Sequence, residues 1–189
     1  MIQVASEGYR HLEAVSSAIK EISAEKFLEL SSEIFNFLKS GNQLFVGGNG
    51  GSLFIAEHIC TDWTKGIFLG TSFKPKIMSL NSVAPLQTAI SNDLGYENSL
   101  SFNVEMFARP GDAVLLISSS GNSPNILRAA QIAKSNSCQV LALSGFGASK
   151  LCELADFYIT LDSEDYQVIE DVHAILGHAI FKFLLSSLK

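Results

Sequence analysis

Two turns in this chain are rich in groups that hold an anion. The first is Ser118-Ser119-Ser120-Gly121-Asn122-Ser123-Pro124. Ser123 suits a helix N-cap and Pro124 the first helical position. A cap uses one hydroxyl, and three more precede it. Four hydroxyls beside the free N–H groups of a helix start match an acceptor-rich, donor-poor group such as phosphate. The second turn is Gly47-Gly48-Asn49-Gly50-Gly51-Ser52. Glycines permit positive φ and close backbone approach to a ligand, and Ser52 can cap the next helix or donate to a phosphate oxygen. The Gly-Lys-Ser/Thr ending of a Walker loop is absent, and the Gly-x-Gly-x-x-Gly dinucleotide spacing is out of frame. Taken alone, the second turn could equally be a plain strand-to-helix connection.

Two further groups carry titratable side chains. His58 and Asp62 stand four residues apart and share a helix face. Such a pair can chelate a metal, act as acid and base, or simply contact one another at the surface. Glu170, His173 and His178 lie in one segment near the end of the chain. On a helix, Glu170 and His178 are separated by about 80° and about 12 Å. They reach one metal only if both extend toward each other, which a kink at Gly177 would ease. His173 lies about 60° to the other side of Glu170 and reads as a supporting or packing histidine.

These residues need elements to position them. Tyr9, Leu12, Val15, Ile19 and Ile22 recur at helical spacing, as do Phe27, Leu28, Leu30, Ile34, Phe35 and Leu38. Residues 1–41 are therefore predicted as a helical pair, broken at Ser23-Ala24-Glu25 and ended by Ser40-Gly41-Asn42. Residues 42–189 alternate strand and helix. Strands are predicted at 44–46, 77–80, 113–117, 139–143 and 157–161. Helices are predicted at 52–65, 85–91, 98–107 and 123–135, after Ser149, and at 165–188. Five strands alternating with helices imply an α/β fold: a doubly wound five-stranded parallel sheet sandwiched by helices, with the N-terminal helical pair added. In such a sheet, ligands bind at the carboxyl ends of strands near the topological switch. Both anion turns follow predicted strands.

Composition agrees. At 189 residues, 47% hydrophobic and 17% charged, the chain suits one globular domain over 1–189. No apolar run approaches a membrane span; the longest, 113–117 and 140–143, are strand-sized. The start, Met-Ile-Gln-Val-Ala-Ser-Glu, is unlike a secretory signal. Cys60, Cys138 and Cys152 are odd in number and widely spaced, which fits reduced thiols in a cytoplasmic protein. A net charge of −6 argues against nucleic acid as partner but not against a small phosphorylated ligand held by neutral N–H groups.

With these residues assembled, the chain resembles the phosphoheptose isomerases of the sugar isomerase (SIS) domain superfamily, a flavodoxin-like fold. The resemblance rests on Gly48-Asn49-Gly50-Gly51-Ser52 with His58 and Asp62, on Asn92-Asp93, on the serine turn, and on the stretch from Glu170 to His178. It covers residues 24–185. It implies an aldose–ketose isomerase that converts sedoheptulose 7-phosphate to D-glycero-D-manno-heptose 7-phosphate through an enediol, as a homotetramer with zinc, one ion per subunit. It also implies roles. Ser52, Ser118, Ser119, Ser120 and Ser123 would bind phosphate, and Asn49, Gly50, Gly51, Asn92 and Asp93 would line the sugar. His58, Asp62, Glu170 and His178 occupy the metal-ligand positions, Glu170 also touching substrate, and Asp62 and His178 the acid/base positions. The chain departs from the family where Asp62 replaces glutamate and Glu170 replaces glutamine. It also has Lys65-Gly66 where an arginine is expected, Ile55 where aspartate is common, and Val168-Ile169-Glu170-Asp171 for Arg-Ile-Gln-Glu. Some SIS relatives are non-catalytic sugar-phosphate sensors or adaptors for a replication initiator, and those departures keep that alternative in play.

Overall fold

The computed structural model describes residues 2–189. Met1, where the segment unlike a secretory signal begins, lies outside the described residues. Two helices, α1 (Ile2–Lys20) and α2 (Ala24–Lys39), precede the sheet. Then come β1 (Leu44–Gly48), α3 (Gly51–Thr71), β2 (Ile77–Ser79), α4 (Ala84–Leu94), a 3-10 turn (Tyr96–Asn98) and α5 (Ser101–Phe107). After these follow β3 (Ala113–Ser118), α6 (Pro124–Ser135), β4 (Gln139–Ser144), α7 (Lys150–Leu154), β5 (Phe157–Thr160) and α8 (Tyr166–Ser187). The five strands are parallel in the order β2-β1-β3-β4-β5, with Val46 beside Leu115 and Leu115 beside Leu141. The α/β expectation therefore holds.

Strand alternation builds the two faces. On β3, Ala113, Leu115 and Ile117 pack with α2, α3 and α8, while Val114 and Leu116 pack with α5, α6 and α7. All these side chains are buried, which is why β3 reads as an unbroken apolar run rather than an alternating one.

Helix α3 outruns its sequence-predicted end at 65 and continues to Thr71, where Ser72 turns left-handed at φ +64. Glycine is a poor helix former, and Gly66 directly follows that predicted end. Packing overrides it. A Cβ on Gly66 would meet Phe181 of α8 at 2.7 Å, so glycine here permits the close approach of the two helices. Trp63 is wholly buried and its Nε1 donates to the Gly177 carbonyl at 3.0 Å. Gly177 packs on Ile59, 2.9 Å from where its Cβ would sit. Gly51 faces Glu170, His58 faces His178, and Gly66 faces Phe181, so α3 and α8 run parallel. Both begin at the same end of the sheet.

Candidate active site

β1 and β3 are neighbours, and the chain leaves them in opposite directions: toward β2 through α3, and toward β4 through α6. The crevice between their carboxyl ends is the topological switch point of the sheet. The glycine turn and the serine turn meet there, with the N-termini of α3 and α6 directed at the space between them. Helix starts supply unpaired N–H groups and a positive dipole end.

The space is a pocket of about 130 Å³. Asn49, Ser52, Ser118, Ser119, Ser120, Ser123 and Glu170 all line it, joined by Ile117 and Tyr166. No Lys or Arg does. The hydroxyls are set up to donate. Ser118 Oγ accepts from Gly121 N (3.2 Å) and Ser120 Oγ from Asn122 N (3.3 Å), leaving both hydroxyl protons for a ligand. Ser123 occupies the N-cap position of α6, yet its side chain makes no capping bond. Ser119 Oγ is buried and has no partner among the described residues. A buried hydroxyl without a partner is costly, and an anion in the pocket removes that cost.

Two glycines shape the turns. Gly50 has φ +53 as the chain swings from β1 into α3. Gly121 has φ +59, and a Cβ there would collide with the hydroxyls of Ser144 and Ser149, which lie beneath the serine turn.

The second cluster lies further along the same two helices. His58 Nε2 is 2.9 Å from His178 Nε2, and Asp62 Oδ2 is 3.4 and 3.6 Å from those two nitrogens. The side chains are partly open, with His58 41% and Asp62 33% exposed. Ligands on a tetrahedral zinc with bonds near 2 Å sit roughly 3.3 Å apart, so this set fits such an ion. From Ser52 to His58 is roughly 9 Å along α3, and from Glu170 to His178 roughly 12 Å along α8. Pocket and cluster are thus the two ends of one strip.

The structure does not bring all of the residues named from sequence together. Among the described residues, the metal-type set is His58, Asp62 and His178 without Glu170. The Glu170 side chain is turned to the N-terminus of α3, against Gly51 and into the serine pocket, two helical turns from His178. Gly177 serves helix packing, and α8 continues unbroken through it. Asn92 and Asp93 do not line the pocket. They are exposed on the last turn of α4, where Asn92 Nδ2 donates to Asp93 Oδ1 (2.8 Å). Gly50 and Gly51 shape the turn rather than line the pocket.

His173 is wholly buried and joins neither group. Its Nε2 lies 3.1 Å from the Ser144 carbonyl. Burial lowers its pKa to about 4, with the Ser144 bond opposing, so the ring is neutral at pH 7 and Nε2 donates. The thiols are free, and burial raises Cys60 to about 12 and Cys138 to about 11, which leaves both unreactive at neutral pH.

Tyr166 and Asn125 escaped the sequence reading. Asn125, wholly buried, exchanges two hydrogen bonds with Asn49, both 2.8 Å. Its one local signal was its place directly after Ser123-Pro124.

Ser119→Ala is expected to leave the denaturant midpoint unchanged or slightly higher, because it deletes an unpartnered group. It should weaken inorganic phosphate binding by about 1–3 kcal/mol. Unaltered phosphate affinity by calorimetry would contradict this.

Comparison with known proteins agrees with the geometry. The SIS domain family matches residues 9–145. A probable phosphoheptose isomerase from Thermoplasma volcanium is 34% identical over 170 residues, covering 90% of this chain and 86% of that protein. The phosphoheptose isomerase of Aliarcobacter butzleri is 31% identical over 182 residues, covering 96% and 95%. The solved structure of a phosphoheptose isomerase from Neisseria gonorrhoeae superimposes with a TM-score of 0.86 at 26% identity, covering 97% of both chains. Among the described residues, no helix is long and apolar enough to cross a membrane.

Proposed function

The chain belongs to the SIS domain family, and from that premise we propose that it is an isomerase converting sedoheptulose 7-phosphate to D-glycero-D-manno-heptose 7-phosphate. The observation that carries this is the pairing of a phosphate-type pocket with a histidine–carboxylate cluster along one pair of helices. A phosphate at the switch point takes the serine hydroxyls and the N–H groups of α3 and α6. The sugar then runs along the strip, and its carbonyl end comes to His58, Asp62 and His178.

Isomerisation moves a proton from C1 of the ketose to C2 while a second proton passes from O1 to O2. Asp62 is the base. Its Oδ2 faces the two imidazoles, which leaves Oδ1 for the carbon-bound proton. His178 shuttles the oxygen proton from the opposing helix. His58, Asp62 and His178 would hold zinc, which when bound supplies positive charge that favours the enediolate over the starting ketone. The departure at Glu170 acquires a meaning here: it puts a carboxylate in the phosphate pocket. Glu170→Gln, the family's residue, is expected to lower KM about threefold or more by removing like-charge repulsion. An unchanged KM would show that the Glu170 carboxylate lies clear of the bound phosphate.

The same reading extends to assembly and place. Phe54 on α3 is 75% exposed and Leu69 73%, and Tyr9 and Leu12 of α1 are open too. Such side chains suit contact with further copies, as in a homotetramer. Three free thiols suit the cytoplasm. The convergence of His58, Asp62 and His178 favours an enzyme over a sensor or adaptor, which has no use for that set. Turnover of sedoheptulose 7-phosphate by the purified protein tests the proposal, and no turnover with or without zinc removes it.

A further inference from the structure

Asn49 stands at the edge of the phosphate pocket with its amide almost fully engaged elsewhere. Its Oδ1 accepts from Asn125 Nδ2 and from the Tyr96 hydroxyl, each at 2.8 Å. A carbonyl oxygen has two lone pairs, and both are thereby used. Its Nδ2 donates one proton to Asn125 Oδ1 at 2.8 Å. One N–H of Asn49 is left. Asn125 is pinned in turn: its Nδ2 also donates to Ser99 Oγ at 3.2 Å, so both of its N–H groups and its oxygen have partners. Asn125 itself does not line the pocket.

We infer that Asn125, helped by Tyr96, is a positioning residue that fixes the Asn49 amide so that it offers the ligand a single N–H and no acceptor. A free asparagine side chain can turn over by 180° and present either group. In this network, turning Asn49 alone would set its NH2 against the NH2 of Asn125 and its oxygen against the oxygen of Asn125. Two hydrogen bonds would become two repulsions. The fixed N–H suits a phosphoryl or other acceptor-only oxygen and discriminates against a donor at the same point. Three elements are tied by these bonds: the β1–α3 turn, the 3-10 turn after α4, and the first turn of α6. The inference rests on the pocket being the phosphate end of the proposed site.

A double-mutant cycle tests it. Affinities for inorganic phosphate and for sedoheptulose 7-phosphate are measured by calorimetry for wild type, Asn125→Ala, Asn49→Ala and the double variant. Asn125→Ala is expected to weaken at least one of the two ligands about fivefold in the wild-type background. In the Asn49→Ala background it should weaken neither by more than about twofold. A purely structural role would instead give the same loss in both backgrounds, and that result, or no loss in the first, overturns the inference. Tyr96 is exposed, so Tyr96→Phe guards against a variant that fails to fold. It should weaken binding about threefold, again only when Asn49 is present. A wild type that binds phosphate without turning over the heptose phosphate removes the proposed reaction and leaves the cycle readable. A wild type that binds neither ligand overturns both.

Discussion

Asp62→Asn should lower kcat about 10³-fold while the affinity for sedoheptulose 7-phosphate stays within about threefold. Asparagine keeps the shape of the side chain and can still meet His58 and His178, which lie 3.4 and 3.6 Å from Oδ2. It cannot take a proton at neutral pH. The binding energy comes mainly from the serine pocket, roughly 9 Å away along α3, so losing the base leaves affinity nearly intact. Single-turnover kinetics and calorimetry read the two quantities separately. A variant with full kcat would show that the proton is taken by another group. A variant with equal losses in binding and turnover would show that Asp62 holds the substrate rather than acting on it.

Gly48→Ala should cost on the order of 3 kcal/mol of stability and remove phosphate binding. Gly48 ends β1, buried, and a Cβ there would lie 2.6 Å from both the carbonyl carbon and the carbonyl oxygen of Ser52. Those atoms are backbone in the first turn of α3, not the far end of a flexible side chain. Relief requires moving the helix start away from the strand. That movement would carry Ser52 and Asn49 off the pocket and pull Gly48 N from Asn81 Oδ1, now at 3.4 Å. Urea unfolding and phosphate calorimetry check the two parts. A stable variant with wild-type affinity would show that the turn has slack which the static packing does not reveal.

The fold was legible because buried parallel strands write themselves as short apolar runs. Ala113–Ser118 and Gln139–Ser144 are such runs, and each is closed by a turn rich in Ser, Gly or Asn. What local composition could not tell was the length of α3. Gly66 and Gly70 weaken a helix by themselves and strengthen this one by admitting Phe181 and Leu185. The serine turn was legible for the same local reason: four hydroxyls and a helix start sit within six residues. Glu170 was not. Spacing gives its angle on α8, but its direction follows from the absence of a side chain at Gly51, on a different helix. Asn125 and Tyr166 were invisible because their roles depend on Asn49 and the serine turn, distant in sequence and adjacent only after the sheet has formed.

The most direct measurement follows purified protein with sedoheptulose 7-phosphate in D2O by proton NMR, with and without added zinc. The expected result is formation of the aldose phosphate, with a solvent deuteron entering at its C2. That pattern is the mark of enediol proton exchange with a base such as Asp62. Absence of both product and deuterium uptake under either condition would contradict the assignment of the strip from Ser119 to His178 as an isomerase site.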